Sequence, residues 1–127
     1  MTHKILYVED NPDNMRLVQK AMEAKGYTFF GAVNGQEGMD MAAELLPDVI
    51  LLDINLPDID GYEVARRLRA SEEGALQVTP IIAITANALK GDAEKALAAG
   101  CDVYMSKPIN VRELWARVEA HLPKSEA

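Results

Sequence analysis

Short hydrophobic runs alternate along the chain with stretches of helical periodicity. Five runs, rich in β-branched and aromatic residues, predict β-strands. They are "KILYV" (4–8), "TFFGA" (28–32), "VILLD" (49–53), "IIAIT" (81–85) and "VYM" (103–105). The third and fourth runs are almost entirely apolar, which is typical of strands buried on both faces of a parallel sheet.

Helical signals fill the gaps between these runs. Asn11 suits an N-cap, Pro12 suits the first helical position, and Gly26 is a stop signal, so a helix is predicted over 12–25. Two later helices are predicted to begin at asparagines placed three residues before a glutamate, a variant of the capping box. These pairs are Asn34 with Glu37 and Asn110 with Glu113.

Apolar stripes predict which helix faces are buried. The second helix has apolar residues at helical spacing, namely Met39, Ala42, Ala43 and Leu46. The fifth helix has the most regular stripe, formed by Val111, Leu114, Trp115, Val118 and Leu122. Two shorter helices are predicted over 62–70 and 92–99.

Five strands that alternate with five helices predict an α/β fold with three layers, α/β/α. The sheet would be parallel and five-stranded, and right-handed crossovers restrict its topology to few orders. The flavodoxin-like order 2-1-3-4-5 is the one we expect for such a (βα)5 chain. We find no linker, so one domain is predicted over 1–123, with a loose tail at 124–127.

Polar residues follow four of the five predicted strands. Glu9 and Asp10 come after the first strand, Asp53 ends the third, Thr85 ends the fourth, and Lys107 follows the fifth. In open α/β sheets, sites form beyond the carboxyl ends of strands, where the strand order reverses. In the order 2-1-3-4-5 the three carboxylates converge there, with Thr85 beside them and Lys107 within reach.

Three neighbouring carboxylates repel one another. At about 5 Å and an effective dielectric near 20, each charged pair costs roughly 3 kcal/mol. Lys107 offsets part of this cost, and a raised pKa or a bound cation must offset the rest. Oxygen ligands of this kind suit Mg²⁺, which keeps several waters and leaves room for a phosphate. An aspartate here could act as a nucleophile toward phosphorus and form an aspartyl phosphate.

Composition excludes several classes of function. With 127 residues, a net charge of -7 and a pI near 4.8, the chain is a poor candidate for nucleic-acid binding. No apolar run approaches the length of a membrane span, and no signal peptide is evident, so we expect a cytoplasmic protein. Cys101 is the only cysteine and is predicted to be buried. The basic cluster "ARRLRA" (65–70), with Arg66 and Arg69 on one face, is predicted to be solvated.

Four sequence blocks resemble the motifs of bacterial two-component receiver domains, the CheY-like response regulators. They are "ILYVEDNP", "DVILLDINLPDIDGYE", "PIIAITA" and "GCDVYMSKP". The resemblance covers essentially the whole chain, and the blocks in this order and spacing are highly specific. "YVEDNPDNMRL" is similar to DivK-like cell-division regulators, although receivers fused to hybrid histidine kinases look much the same. Glu9 stands where many receivers have aspartate.

The resemblance implies a metal-dependent role for the acidic residues. Asp53 would be the phosphoacceptor. Asp10 would bind Mg²⁺ directly, and Glu9 would order the metal, directly or through water. The backbone carbonyl of Asn55 would complete the metal shell. Asn55 and Asn87 would also influence the lifetime of the phosphoryl group.

The resemblance also implies a switch. Thr85 and Lys107 would contact the phosphoryl group, and Tyr104 would swing inward when Thr85 moves. The Lys107–Pro108 bond would be cis. Taken singly, these residues have plainer explanations: Tyr104 as half-buried packing, Asp53 as a loop cap, and the Glu9–Asp10 pair as favourable charges at a helix N-terminus. Asp58 and Asp60 are predicted turn and helix-cap residues.

The implied function is that of a single-domain response regulator. It would take a phosphoryl group from a histidine kinase or a histidine phosphotransfer protein onto Asp53, catalysing its own phosphorylation and dephosphorylation. Phosphorylation would change its affinity for a downstream protein, with no nucleic-acid or membrane partner. We expect a monomer and leave dimerisation on activation open.

Two other classes of function compete with this one. A haloacid-dehalogenase-type phosphohydrolase would place a D-x-D pair after the first strand, but this chain has "EDN" there and no cap domain. A receiver-like binding module that is never phosphorylated would usually lack the acceptor, an acidic residue or the lysine, and all are present.

Overall fold

A parallel sheet of five strands forms the centre of the structure, a computed structural model that describes residues 2–86 and 92–122. The strands are β1 (Lys4–Val8), β2 (Thr28–Ala32), β3 (Val49–Asp53), β4 (Ile81–Thr85) and β5 (Val103–Ser106). Their order is β2-β1-β3-β4-β5, so the predicted topology is confirmed. The predicted bounds of the first four strands are also confirmed, and β5 is one residue longer than predicted.

Helices cover both faces of this sheet. They are α1 (Pro12–Ala24), α2 (Gly35–Leu45), α3 (Gly61–Arg69), α4 (Asp92–Ala98) and α5 (Val111–His121). Side chains of α1 and α5 pack against one face, and those of α2, α3 and α4 pack against the other. Within the described residues, no helix combines the length and the apolar character needed to cross a membrane. The predicted tail at 124–127 lies outside the described residues.

The two central strands are buried on both faces, as their apolar sequences predict. Every residue of β3 and of β4 is buried. The register pairs Val8 with Leu52, Asp53 with Ile84, and Thr85 with Ser106. Because these strands are parallel and closely aligned, the residues that follow their carboxyl ends lie along one edge of the sheet.

The helix starts follow the predicted capping chemistry. The side-chain oxygen of Asn11 accepts from the backbone N–H groups of the first turn of α1. Asn34 and Asn110 accept from the backbone N–H groups of Glu37 and Glu113 at 2.8 and 3.0 Å. The carboxylate of Glu37 reaches back to the N–H of Val33, one residue earlier than in a standard capping box.

Two aspartates in the loop between β3 and α3 cap two different helices. Asp60 accepts from the backbone N–H of Tyr62 and caps α3, the helix that follows it. Asp58 accepts from the N–H groups of Gly35 at 2.7 Å and Gln36 at 2.9 Å, so it caps the start of α2 from a distant part of the chain. These bonds lower the pKa of the Asp58 carboxyl.

The predicted buried stripe of α2 is partly wrong. Ala42 is fully buried, but Ala43 and Leu46 are exposed. The helix approaches β1 through Gly38 instead, where a Cβ atom would lie only 2.7 Å from a methyl carbon of Val8. The absence of a side chain at Gly38 lets the helix approach the strand closely, which a search for large apolar residues does not detect.

The prediction of a solvated basic cluster is wrong for Arg69. Its guanidinium donates to the carbonyl oxygens of Leu76, Thr79 and Gly100 at 2.6 to 2.9 Å. It also pairs with the carboxylate of Asp102 at 2.8 Å. One of these acceptors, Leu76, lies in a 3-10 helix over Gly74–Gln77 that the sequence pattern does not predict.

Candidate functional site

The site lies at the carboxyl edge of the sheet, beside the point where the strand order reverses. The chain leaves β1 toward β2 on one side and returns to β3 on the other. Glu9 follows β1, Asp53 ends β3, Thr85 ends β4, and Lys107 follows β5. Glu9, Asp53 and Thr85 are each at most 2% exposed.

Three acidic residues meet at this edge. One carboxylate oxygen from each of Glu9, Asp10 and Asp53 lies within 4.8 Å of the others. Glu9 and Asp53 are buried, whereas Asp10 is exposed. The cluster is therefore open to solvent on one side and enclosed on the other.

Glu9 is held by many donors. Its Oε1 accepts from the Tyr7 hydroxyl at 3.0 Å, the Asn14 amide at 3.0 Å and the Lys107 ammonium at 2.9 Å. Its Oε2 accepts from backbone N–H groups that lead into α1, including that of Asp10 at 3.1 Å. Glu9 therefore lies at the N-terminus of α1, where a negative charge is favourable, as the simpler interpretation of the sequence predicts. It also contacts the ammonium group of Lys107.

Lys107 lies between two of the carboxylates. Its Nζ is 2.9 Å from Oε1 of Glu9 and 3.4 Å from Oδ2 of Asp53. Its backbone N–H donates to the carbonyl oxygen of Thr85 at 2.7 Å, and the Lys107–Pro108 peptide bond is cis. The lysine is tied to the ends of β1, β3 and β4, and its ammonium is closer to Glu9 than to Asp53.

The loop after Asp53 is tightly packed. Oδ1 of Asp53 accepts from the backbone N–H of Asn55 at 3.2 Å. A Cβ atom on Gly61 would lie 2.6 Å from the Asp53 carbonyl oxygen and from Cα of Ile54. Only glycine therefore fits at the start of α3 without moving the backbone beneath Asp53.

The charges in the site are unbalanced. Burial raises the pKa of Asp53 to about 7, aided by the hydrogen bond and the charge of Glu9, while Lys107 and the Asn55 N–H oppose the rise. Burial also acts to raise the pKa of Glu9, but hydrogen bonds from Asp53 and Lys107 outweigh it and lower that pKa to about 2. Burial acts to lower the pKa of Lys107, yet the two carboxylates raise it. One lysine does not neutralise three carboxylates, and Asp53 is the carboxyl whose pKa is raised.

A family model for the response regulator receiver domain matches residues 5–119. The chain belongs to this family. Receiver domains are phospho-switches of two-component signalling, and as a class they interact with kinases and with downstream targets. This receiver therefore has a phosphorelay signalling role.

Curated relatives and solved structures agree with this assignment. The receiver is 43% identical over 122 residues to the polar-differentiation response regulator DivK of Brucella ovis, which covers 96% of this chain and 98% of the relative. The receiver domain of a sensor histidine kinase from Pseudomonas aeruginosa is 37% identical, with a TM-score of 0.86 and coverage of 95% and 98%. The chemotaxis protein CheY4 of Vibrio cholerae is 25% identical, with a TM-score of 0.89 and coverage of 96% and 100%.

The donor atoms of this receiver fit a hard divalent cation. Within the described residues, the cluster of Glu9, Asp10 and Asp53 offers only oxygen ligands, which Mg²⁺ prefers. The Pseudomonas receiver has a magnesium ion coordinated in its active-site cleft. Receiver domains bind Mg²⁺ in an acidic site of this kind.

The remaining residues predicted for the site lie around this cluster. Asn55 is exposed and donates its N–H to Asp53, and Thr85 is buried at the end of β4. Tyr104 is half-buried on β5, paired in register with Ala83, and packs with the core on the α2–α3 face. Asn87 lies outside the described residues.

Sequence reasoning missed two residues that contact Glu9, namely Tyr7 and Asn14. The sequence pattern predicts only that Tyr7 is an apolar residue of the first strand. Its hydroxyl, however, is buried and needs a partner, and alternation along β1 places it on the same face as Glu9. A buried hydroxyl on the same strand face as a buried carboxylate is therefore the sequence signal that could have indicated this contact. Asn14 had no comparable signal, because its contact depends on the angle at which α1 leaves the sheet.

Proposed function

We propose that this receiver accepts a phosphoryl group on Asp53 from a phosphohistidine of a histidine kinase or phosphotransfer protein, and that phosphorylation switches its binding to a downstream protein. The observation that carries this proposal is the position of Asp53. Its carboxylate is buried among two other acids, with the Lys107 ammonium 3.4 Å from Oδ2. A capping aspartate would not need this surrounding charge.

The transfer is a displacement at phosphorus. A carboxylate oxygen of Asp53 attacks the phosphorus atom and forms an O–P bond, while the N–P bond to the donor imidazole breaks and its electron pair returns to nitrogen. Lys107 moves toward a phosphoryl oxygen and offsets its charge, and the Thr85 hydroxyl hydrogen-bonds another. Such positioning and charge compensation make up most of the catalysis of phosphoryl transfer.

A magnesium ion belongs to this proposal. Asp10 and Asp53 would bind it through carboxylate oxygens, Glu9 directly or through water, and Asn55 through its backbone carbonyl. A bound Mg²⁺ supplies positive charge to the phosphoryl oxygens and aligns donor and acceptor.

The signal ends with hydrolysis, which this receiver is proposed to catalyse itself. Water attacks the phosphorus atom, the O–P bond to Asp53 breaks, and the carboxylate and inorganic phosphate are regenerated. While the phosphoryl group is present, Thr85 moves toward it and Tyr104 takes an inward position, which shifts a two-state equilibrium of the partner-binding surface. We assign the receiver to residues 1–123 and propose that it is a monomer before activation.

Incubation with acetyl phosphate tests this proposal. We expect one phosphoryl adduct by intact mass on the wild-type protein in the presence of Mg²⁺, and no adduct with EDTA or on Asp53→Asn. Asp13→Asn is the matched control, since Asp13 is an exposed aspartate near the site that pairs with Arg16, and it should be labelled like the wild type.

The opposite results are equally informative. An adduct that persists on Asp53→Asn would move the acceptor to another residue. No adduct on the folded wild type, under conditions that label a known receiver, would overturn the proposal and favour a binding module that is never phosphorylated.

A further inference from the structure

A buried tyrosine lies directly beneath the site. Tyr7 is in β1, is 0% exposed, and packs in the core between the sheet and helices α1 and α5. Its ring fills space as a leucine or phenylalanine would, but its hydroxyl donates to Oε1 of Glu9 at 3.0 Å. This hydroxyl is too deeply buried to serve as a metal ligand or phosphoryl contact in the proposed chemistry.

Three donors converge on that one oxygen. Oε1 of Glu9 accepts from Tyr7, from Asn14 of α1 at 3.0 Å and from Lys107 at 2.9 Å. A carboxylate oxygen has two lone-pair sites, so the three donors share it. Lys107 is also the group that must move toward the phosphoryl oxygens, and it starts 3.4 Å from Asp53.

We infer that Tyr7 is a positioning residue that, together with Asn14, satisfies Oε1 of Glu9 while the Lys107 ammonium moves to the phosphoryl group. The inference rests on the proposed phosphorylation of Asp53. When the lysine leaves, a buried carboxylate loses a charged donor, and an underbonded buried carboxylate is costly. The two neutral donors stay in place, because they come from β1 and α1 rather than from the loop after β5.

Removing the tyrosine hydroxyl should therefore hold the lysine on Glu9. We expect Tyr7→Phe to slow formation of the phosphoryl adduct from acetyl phosphate about five- to tenfold at saturating Mg²⁺. We expect a similar weakening of binding to beryllofluoride, a phosphoryl mimic, by calorimetry. This range lies below the full value of a hydrogen bond to a charged group, because Asn14 remains as a donor.

The matched control is Tyr27→Phe. Tyr27 is a half-buried tyrosine that precedes β2, at the opposite end of the strands, so loss of its hydroxyl should leave both measurements unchanged. Thermal unfolding of each variant checks that the fold is intact.

A double-mutant cycle separates positioning from packing. If Tyr7 and Asn14 share one task, the loss in Tyr7→Phe/Asn14→Ala should exceed the product of the two single losses. Losses that simply multiply would overturn the shared role. If Tyr7→Phe does not fold, Asn14→Ala must by itself slow the reaction, and an unchanged rate there would overturn the inference.

The two proposals fail in different ways. A wild-type protein that is labelled on Asp53, together with a Tyr7→Phe variant of equal rate, would overturn the role of Tyr7 and leave the proposed function intact. A wild-type protein that takes no phosphoryl group would overturn both.

Discussion

Burial and the proposed reaction place opposite demands on the ionisation of Asp53. It is buried against Glu9, yet in the proposed reaction it must be ionised to attack phosphorus. Without a metal, burial and the charge of Glu9 raise its pKa to about 7, close to the pH at which most proteins work. Its protonation state in the resting protein is therefore sensitive to small changes in pH and in local charge.

The free energy of unfolding should depend on the protonation of Asp53, and therefore on pH. In the absence of metal, Asp53 binds its proton more tightly in the folded protein than in the unfolded chain, where the pKa is near 3.8. The resulting stabilisation is present at acidic pH and is lost as the pH rises through about 7. We expect a loss of about 2–3 kcal/mol between pH 5 and pH 8, measured by urea unfolding in EDTA.

Two comparisons check the origin of that slope. Asp53→Asn carries no titrating group, so its stability should vary less over the same range and should exceed that of the wild type at pH 8. Mg²⁺ should restore stability to the wild type at pH 8. The pKa of Glu9, near 2, affects stability only at lower pH, as acid protonates that carboxylate. A wild type whose stability does not change with pH would contradict the assignment.

At the scale of elements, strand bounds were predictable because a buried parallel strand needs an uninterrupted apolar run with polar residues at its ends. The asparagine caps were predictable because capping depends on spacing within a few residues. The buried face of α2 was not, since it depends on how closely two backbones approach. Gly38 and Val8 determine that approach, and no periodicity of large residues reveals it.

Gly38→Ala tests the close contact between α2 and β1. Alanine improves helix propensity by up to about 1 kcal/mol, but its Cβ would lie 2.7 Å from Val8, whose β-branched side chain has little freedom to move. We expect a net loss of about 1–3 kcal/mol in urea unfolding. Gly74→Ala is the control: nothing lies within 4 Å of its Cβ position, and it should be neutral or slightly stabilising.

At the scale of the whole molecule, the position of the site was predictable while the bonds that surround it were not. The parallel sheet brings the carboxyl ends of its strands to one edge, and the alternation of strands and helices predicts such a sheet, with few possible strand orders. The hydrogen bond from Tyr7 to Glu9, and those from Arg69 to three backbone carbonyl oxygens, depend on side-chain directions and on packing between distant segments. From the sequence alone, Tyr7 is identified only as an apolar residue of a strand, and Arg69 only as a basic residue of a helix.

Arg69 joins α3 to the second half of the sheet, and its removal should weaken the whole fold. Arg69→Met keeps much of the apolar stem but leaves the carbonyls of Leu76, Thr79 and Gly100 without their donor. We expect the free energy of unfolding to fall by about 2–4 kcal/mol. Arg67→Met removes an exposed arginine from the same helix and should change little. Equal effects of the two substitutions would contradict this role.

The hydrogen bonds of Asp58 couple the loop after Asp53 to the beginning of α2, so the two segments are expected to vary together among related proteins. The loop carries the carboxylate, and the helix carries the two N–H groups of Gly35 and Gln36 that it binds. A chimera that takes this loop from another receiver must therefore also bring an acceptor at this position, or leave the N–H groups of Gly35 and Gln36 without this partner and α2 with Asn34 as its side-chain cap. Loop and helix start are expected to be exchanged together, although 22 residues separate Asp58 from Gln36 in the chain.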